Sequence, residues 1–480
     1  MKIITIIRNL KRPLCAIPLL LALDSHAIIT HTLQDEATVA TVNNQVIPTK
    51  SIELFYQYAI DKNPELSKSQ LVKNIIENHL LTKYVQKTIG LEAISDETKV
   101  GFKQEVAAQE QLINVLKYRY QEEITKSIQN LRNGSLNSVI TAPMSISSKA
   151  LTKLFTMEKS MEYRINLSQQ NTFKNTHLLR YQLPQQTPKT ITLWDIYDRT
   201  NMQEKIALFK ADTNTLKSLT RKHLSSLYVL HWVKQFTPIS QMELASLKQF
   251  ITENRIARQY HLYTGSKTAV HHSNEKLRAL SKKVSPQEIN EYYQQHKENF
   301  KTVKKVKARH IQLTSQTQAD KVYQELKSGL NFAKAIEKYS HAKDKNNSEP
   351  GSLGWIKRSD LNRDWLHTLP FTQKQTGKFS PPFMSPKKRY PTTLWEIIYL
   401  DERVTGYLPP SSKTVQYNAS KAIAKIKINQ SVSDTKKQLW YEARVNLNKN
   451  IINTEAFIQQ TTHFNLFNTG HQHSEPNHEH

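Results

Sequence analysis

The chain has 480 residues, enough for about three domains, and carries a formal net charge of +26. Only ten glycines occur, and neither the Rossmann nor the P-loop fingerprint is present, which excludes those nucleotide-binding cores. A single cysteine, Cys15, excludes disulfide stapling and cysteine-based zinc sites downstream of it.

Lys2, Arg8, Lys11 and Arg12 precede an apolar stretch, Pro13–Leu23, and Ser25-His26-Ala27 ends in the small–x–small pattern of a signal-peptidase site. That stretch of 11 residues is too short to cross a bilayer as a helix. Residues 1–27 are therefore expected to be a cleaved secretory signal. Cys15 has no small residues before it, which argues against a lipoprotein. No second stretch is long and apolar enough for stable membrane insertion, so the mature chain is expected to be soluble outside the cytoplasm, most simply in a bacterial periplasm. The basic residues are scattered and not gathered on one recognition helix, so nucleic acid is not an expected partner. The charge instead favours encounters with acidic clients or anionic membrane surfaces, an effect that salt weakens.

From residue 28 the spacing predicts a hairpin around Asn43-Asn44 and a helix after it. Val72, Ile75, Ile76, Leu80, Tyr84 and Val85 form one helical stripe, and Leu112, Val115, Leu116 and Tyr120 another. Residues 132–148 read as a loop by their Gly, Pro and Ser content. A similar order of elements then recurs in TITLWDIYDR and in two helical segments, SLTRKHLSSLYVLHWVKQF and ELASLKQFITENRIARQYHLY. This gives a first helical region at 28–165 and a second at 166–302, which are either two repeats or one continuous helical domain. Ser285-Pro286-Gln287-Glu288 has the form of a capping box with proline at the first helical position.

Between 303 and 405, VKARHIQL reads as a strand, and Val322, Leu326, Phe332, Ala335 and Ile336 recur at helix spacing. GSLGW, TGKFSPPF and LWEIIYLDER follow, and five of the ten glycines lie between 329 and 406. After the turn YLPPSSK, the segment TKKQLWYEARVNLNKN reads as a helix and INTEAFIQQ as its short extended end, within a C-terminal region at 406–462. The tail at 463–480 holds His471, His473, His478 and His480 in two His-x-His pairs, an arrangement that can capture Zn, Ni or Cu ions. It opens an alternative reading, a metal-handling accessory protein acting through its tail.

The order of motifs from 303 to 405 resembles the parvulin-type peptidyl-prolyl cis–trans isomerases, and the flanking helices are similar to those of SurA- and PrsA-type periplasmic folding factors. The resemblance implies an α+β fold: a helical chaperone-like module, to which the C-terminal helix returns, plus a parvulin domain whose four-stranded antiparallel sheet is covered by helices. It also implies unfolded or nascent exported polypeptides as partners, outer-membrane proteins among them, and no cofactor.

Residue by residue, the resemblance places Leu353, Leu361 and Trp365 at the proline pocket, with Phe383 from TGKFSPPF as a fourth apolar contact. His310 matches the histidine that ends the first family strand, and Thr393 the hydroxyl residue before the second. Glu396 stands where the family has its second histidine. The family's Asp or Cys falls on Ala342, while a short insertion makes Asp344 the alternative, and both remain open at this point. A carboxylate at 396 would favour a charged His310 and pair with it. The polar floor would then depart from the family's, leaving turnover weaker than peptide binding.

Overall fold

The computed structural model describes residues 29–94, 103–144, 146–155, 163, 165–267, 274–361, 365–386, 392–453 and 457. The signal-like segment and the four tail histidines lie outside them. The described residues form two compact units, one from those up to 274 together with those from 428 onward, and one from those between 275 and 427.

The first unit starts with strands β1 (Ile29–Thr32), β2 (Thr38–Val42) and β3 (Gln45–Pro48). Asn43 and Asn44 join the last two with φ of 46° and 73°. A two-residue hairpin turn needs left-handed backbone at both positions, which asparagine tolerates. Pro48 leads straight into the helix Thr49–Lys62. The helix Lys68–Tyr84 is capped by the Ser67 hydroxyl, which accepts from the Gln70 amide at 3.1 Å, and buries Val72, Ile75, Ile76 and Leu80. The helix Gln104–Arg119 buries Leu112, Val115 and Leu116.

The expected loop at 132–148 contains a short strand, β4 (Ile140–Ala142), which pairs with the hairpin β5 (His177–Tyr181) and β6 (Lys189–Thr192). A hairpin running directly into a helix thus occurs twice, since β6 leads into Leu193–Tyr197. Two long helices follow, Thr213–Phe236 and Gln241–Thr264. Both halves share one apolar core, in which Leu116, Leu151, Ile191 and Leu247 are all buried.

The second unit begins with the capping box. The Ser285 hydroxyl accepts from the Glu288 amide at 3.3 Å, and a Glu288 carboxylate oxygen accepts from the Ser285 amide at 2.9 Å. After the helix Pro286–Gln295 come β7 (Lys301–Leu313), helices Gln316–Lys327 and Phe332–Tyr339, β8 (Ser352–Lys357), a short helix Trp365–Thr368, β9 (Lys378–Phe379), β10 (Phe383–Met384) and β11 (Trp395–Tyr407). The residues from Val322 to Ile336 lie on two helices, not one. Gly329 at φ 99° ends the first, and the Asn331 side chain caps the second by accepting from the Ala333 amide at 2.9 Å.

The sheet is antiparallel, with β8, β7 and β11 side by side and both β9 and β10 paired to β11. It therefore has five strands where four are expected. Pro381-Pro382 explains the difference, because neither residue has an amide to donate to the ladder. The fourth position of the sheet is split in two, and the Ser380 hydroxyl bridges the break by accepting from the Ile398 amide at 2.9 Å.

A helix then runs over Lys413–Glu442, starting earlier and ending earlier than the sequence pattern suggests. In the second unit its first half packs Val415, Ala419 and Ile423 against Ile289, Tyr293 and Phe300. Beyond it, β12 (Val445–Leu447) belongs to the first unit, parallel to β1 and antiparallel to β2. The segment expected to continue as helix is a strand because β1 and β2 offer it partners. The Arg444 amide also donates to the Asn43 side chain at 2.8 Å. Of the expected extended end at 452–460, Phe457 is helical and buried.

Candidate active site

Strand periodicity builds the site. Along β7, Ala308, His310 and Gln312 share one face, and the register sets Leu400, Ile398 and Glu396 of β11 opposite them. Ile311, Leu313 and Ile397 point the other way and pack under the helices Gln316–Lys327 and Phe332–Tyr339. Phe383 of β10 lies directly across from Glu396. One face of the sheet is thus core, and the other carries the candidate chemistry.

On that face His310 is 3% exposed and Glu396 1% exposed, so both are cut off from solvent. The Nδ1 of His310 lies 2.6 Å from Glu396 Oε2, and its Nε2 lies 2.9 Å from Asp344 Oδ2. Gln312 Nε2 donates to the other Glu396 oxygen at 2.8 Å. An imidazole with a carboxylate on each nitrogen can donate on both sides only as the imidazolium. Burial opposes that charge, but the Glu396 and Asp344 carboxylates outweigh it and hold the His310 pKa above its ordinary value of 6.5.

Asp344 reaches this position through its backbone. The Ser340 hydroxyl accepts from the amides of Gln312, at 3.2 Å, and Ala342, at 3.3 Å, and the His341 amide donates to the Gln312 carbonyl at 2.8 Å. This ties the segment to the end of β7 and turns Asp344, not Ala342, towards His310. Gly351 completes the support. Its carbonyl accepts from the His310 amide at 2.8 Å, and a Cβ on it would stand 2.6 Å from the His310 carbonyl oxygen. With φ at 65° as well, only glycine fits without strain.

The four apolar candidates come together beside this line. Leu353, Trp365 and Phe383 pack around Ala308, Leu369 and Ile398, while Leu353 and Leu361 pack around Val306, Ile356 and Leu400. All four are only part-buried, so their outer surfaces remain open. Thr393 is not brought in: it is exposed, two residues before β11, and makes no hydrogen bond among the described residues. Five residues of the long loop before it, 387–391, lie outside the described residues.

Sequence reasoning passed over Gln312 and Ile398. A period-of-two count from His310 along a strand puts Gln312 on the same face, so that signal was present. Ile398 needed the β7–β11 register, which no local pattern supplies.

Residues 284–413 match the family model described as the PPIC-type PPIase domain. This part of the chain is a parvulin-type peptidyl-prolyl isomerase domain, and the described residues outside it are a mix of helices and sheet. No curated protein matches the chain. Among solved structures it is similar to a SurA-like chaperone of Campylobacter jejuni, at 18% identity over 47% of this chain and 83% of that one, with a TM-score of 0.19. It is also similar to PrsA of Bacillus subtilis, at 18% identity over 57% of this chain and 88% of that one, with a TM-score of 0.18. A second match within the C. jejuni SurA-like pair covers 86% of this chain and 98% of that one at 10% identity, with a TM-score of 0.20. No helix among the described residues is long and apolar enough to cross a membrane.

Proposed function

We propose that this chain is an exported, periplasmic folding factor that binds proline-containing segments of unfolded polypeptides, outer-membrane proteins among its clients, and speeds their cis–trans isomerisation. One observation carries the reading: Leu353, Leu361, Trp365 and Phe383 gather, part-exposed, beside the Glu396–His310–Asp344 line, of which Glu396 and His310 are buried and Asp344 part-buried.

Isomerisation breaks no bond, and the enzyme has only to lower a rotation barrier of ~18–20 kcal/mol about a conjugated amide. An apolar notch that grips the proline ring, with little water around the amide, favours the less polar twisted form. In this site His310 does not touch the peptide, because both of its nitrogens are already engaged. It acts as a positioning residue. Glu396 is likewise fully engaged, by His310 and Gln312. Asp344 is the group left for substrate: its Oδ1 has no donor among the described residues, although it is shielded from solvent. A peptide N–H next to the proline reaches that oxygen once the turn Lys343–Asn346 shifts to uncover it, and then holds the chain while the C–N bond turns. Neither metal nor cofactor enters the step.

Calorimetric titration with a prolyl peptide and its alanine counterpart tests the reading. The prolyl peptide should bind the full chain and its counterpart more weakly. Trp365→Ala should lose about tenfold or more in affinity, since truncating such a side chain costs on the order of 2 kcal/mol of buried apolar surface. Equal binding of the two peptides, or unchanged affinity in a folded Trp365→Ala protein, would remove the proposal.

A further inference from the structure

The half of the sheet beyond the covering helices has a second exposed face that the isomerase reading does not use. Its register is closed over two rows. Val404, Lys305 and Lys357 stand in one, and Glu402, Lys307 and Trp355 in the next. Side chains two apart on a strand share a face, so all six project from the same side. The opposite side, with Val306 and Ile356, is core. Trp355 is 42% and Val404 38% exposed.

The charges on this face are unbalanced: three lysines stand against one carboxylate. Among the described residues none of the three lysines forms an ion pair, although Lys305 lies 4.1 Å over the Trp355 ring. Lys305 and Lys357 are direct cross-strand partners, and like charges so placed weaken a sheet. Folding alone gains nothing from this pairing, whereas an anionic partner would neutralise it. Side chains on one face of an open sheet stand side by side and enclose no slot, so they fit a plane better than a single chain. Basic residues around an exposed tryptophan and an aliphatic side chain match the chemistry of an anionic membrane–water interface.

We propose that this face, centred on Lys305, Lys357 and Trp355, docks the protein on an anionic lipid surface without inserting into it. The proposal is independent of prolyl binding. The test is co-flotation of the full chain with phosphatidylglycerol-containing vesicles and with pure phosphatidylcholine vesicles. Binding is expected only to the former, and should weaken as salt rises. The variant Lys305→Glu/Lys357→Glu should lose about tenfold or more in partitioning, whereas Lys126→Glu/Lys217→Glu, with the same charge change on exposed sites elsewhere, should lose much less. Vesicle binding should also shift the tryptophan emission to the blue, and Trp355→Phe should remove that shift while leaving circular dichroism unchanged. Equal losses in both double variants would show diffuse attraction by the net charge and overturn the proposal. Binding of poly-glutamate through Lys305 and Lys357 without vesicle binding would overturn it in favour of an acidic polypeptide.

Discussion

At the scale of single residues, a histidine held between two carboxylates organises the site. Removing one partner of a buried pair leaves the other charge stranded, so Glu396→Ala should destabilise the isomerase domain by about 3–5 kcal/mol in chemical denaturation. The pH dependence has a definite sign. His310 has a folded pKa above its unfolded value of 6.5. Its stabilising contribution is therefore fully present below pH 6.5 and is lost as pH rises through the folded value. Melting temperatures of the native chain should fall relative to those of His310→Gln across that window, and isotope-labelled histidine spectra should show an imidazole titrating above 6.5 that is missing from His310→Gln. A flat difference between the two proteins would contradict this. The His310–Glu396 pair was legible in the sequence, because the family resemblance put Glu396 where a second histidine would face His310. The choice between Ala342 and Asp344 was not, since it depends on the Ser340 hydroxyl and the 3₁₀ turn over Lys343–Asn346, which tie Asp344 to the end of β7. Thr393, matched to the family's hydroxyl residue before the second strand, stands exposed and makes no hydrogen bond to the His310 line among the described residues.

At the scale of elements, local signals were reliable wherever the chain's own chemistry closes the structure. The Asn43-Asn44 turn and the Ser285 box are both present as expected. In the latter, the Lys427 ammonium and then the Ser285 amide hold the Glu288 carboxyl down at about 2. Ser285→Ala should cost about 1 kcal/mol through loss of the cap, readable as a lower denaturation midpoint of the isomerase domain. Gly351→Ala should cost on the order of 2 kcal/mol, from backbone strain at positive φ and the clash with the His310 carbonyl. An unchanged midpoint in the glycine variant would mean that this turn does not hold His310. Tertiary partners decided the elements that the sequence misplaced. β12 is a strand because β1 and β2 pair with it, and the split of β9 from β10 follows from two prolines whose effect on strand count needs the sheet to be seen.

At the scale of the whole molecule, the chain returns to its beginning. Asn448, completely buried, donates to the carbonyls of Asp35 at 2.9 Å and Thr38 at 3.1 Å, sealing β12 beside β2. Asn448→Ala removes both of these donations, leaving Asp35 only the Thr38 amide at 3.0 Å, and should cost about 1–3 kcal/mol in the first unit, seen as earlier unfolding of that unit with the isomerase domain unaffected. The recurrence of hairpin and helices was visible in the sequence, which left two repeats and one continuous domain both open, because helical periodicity says which face is apolar and not what covers it. The most direct test of the central claim is the isomerisation rate of a prolyl peptide, followed at low temperature with and without the full chain. The notch beside His310 predicts a rate above the spontaneous one that Trp365→Ala removes. A rate indistinguishable from the spontaneous one with the native chain would contradict it.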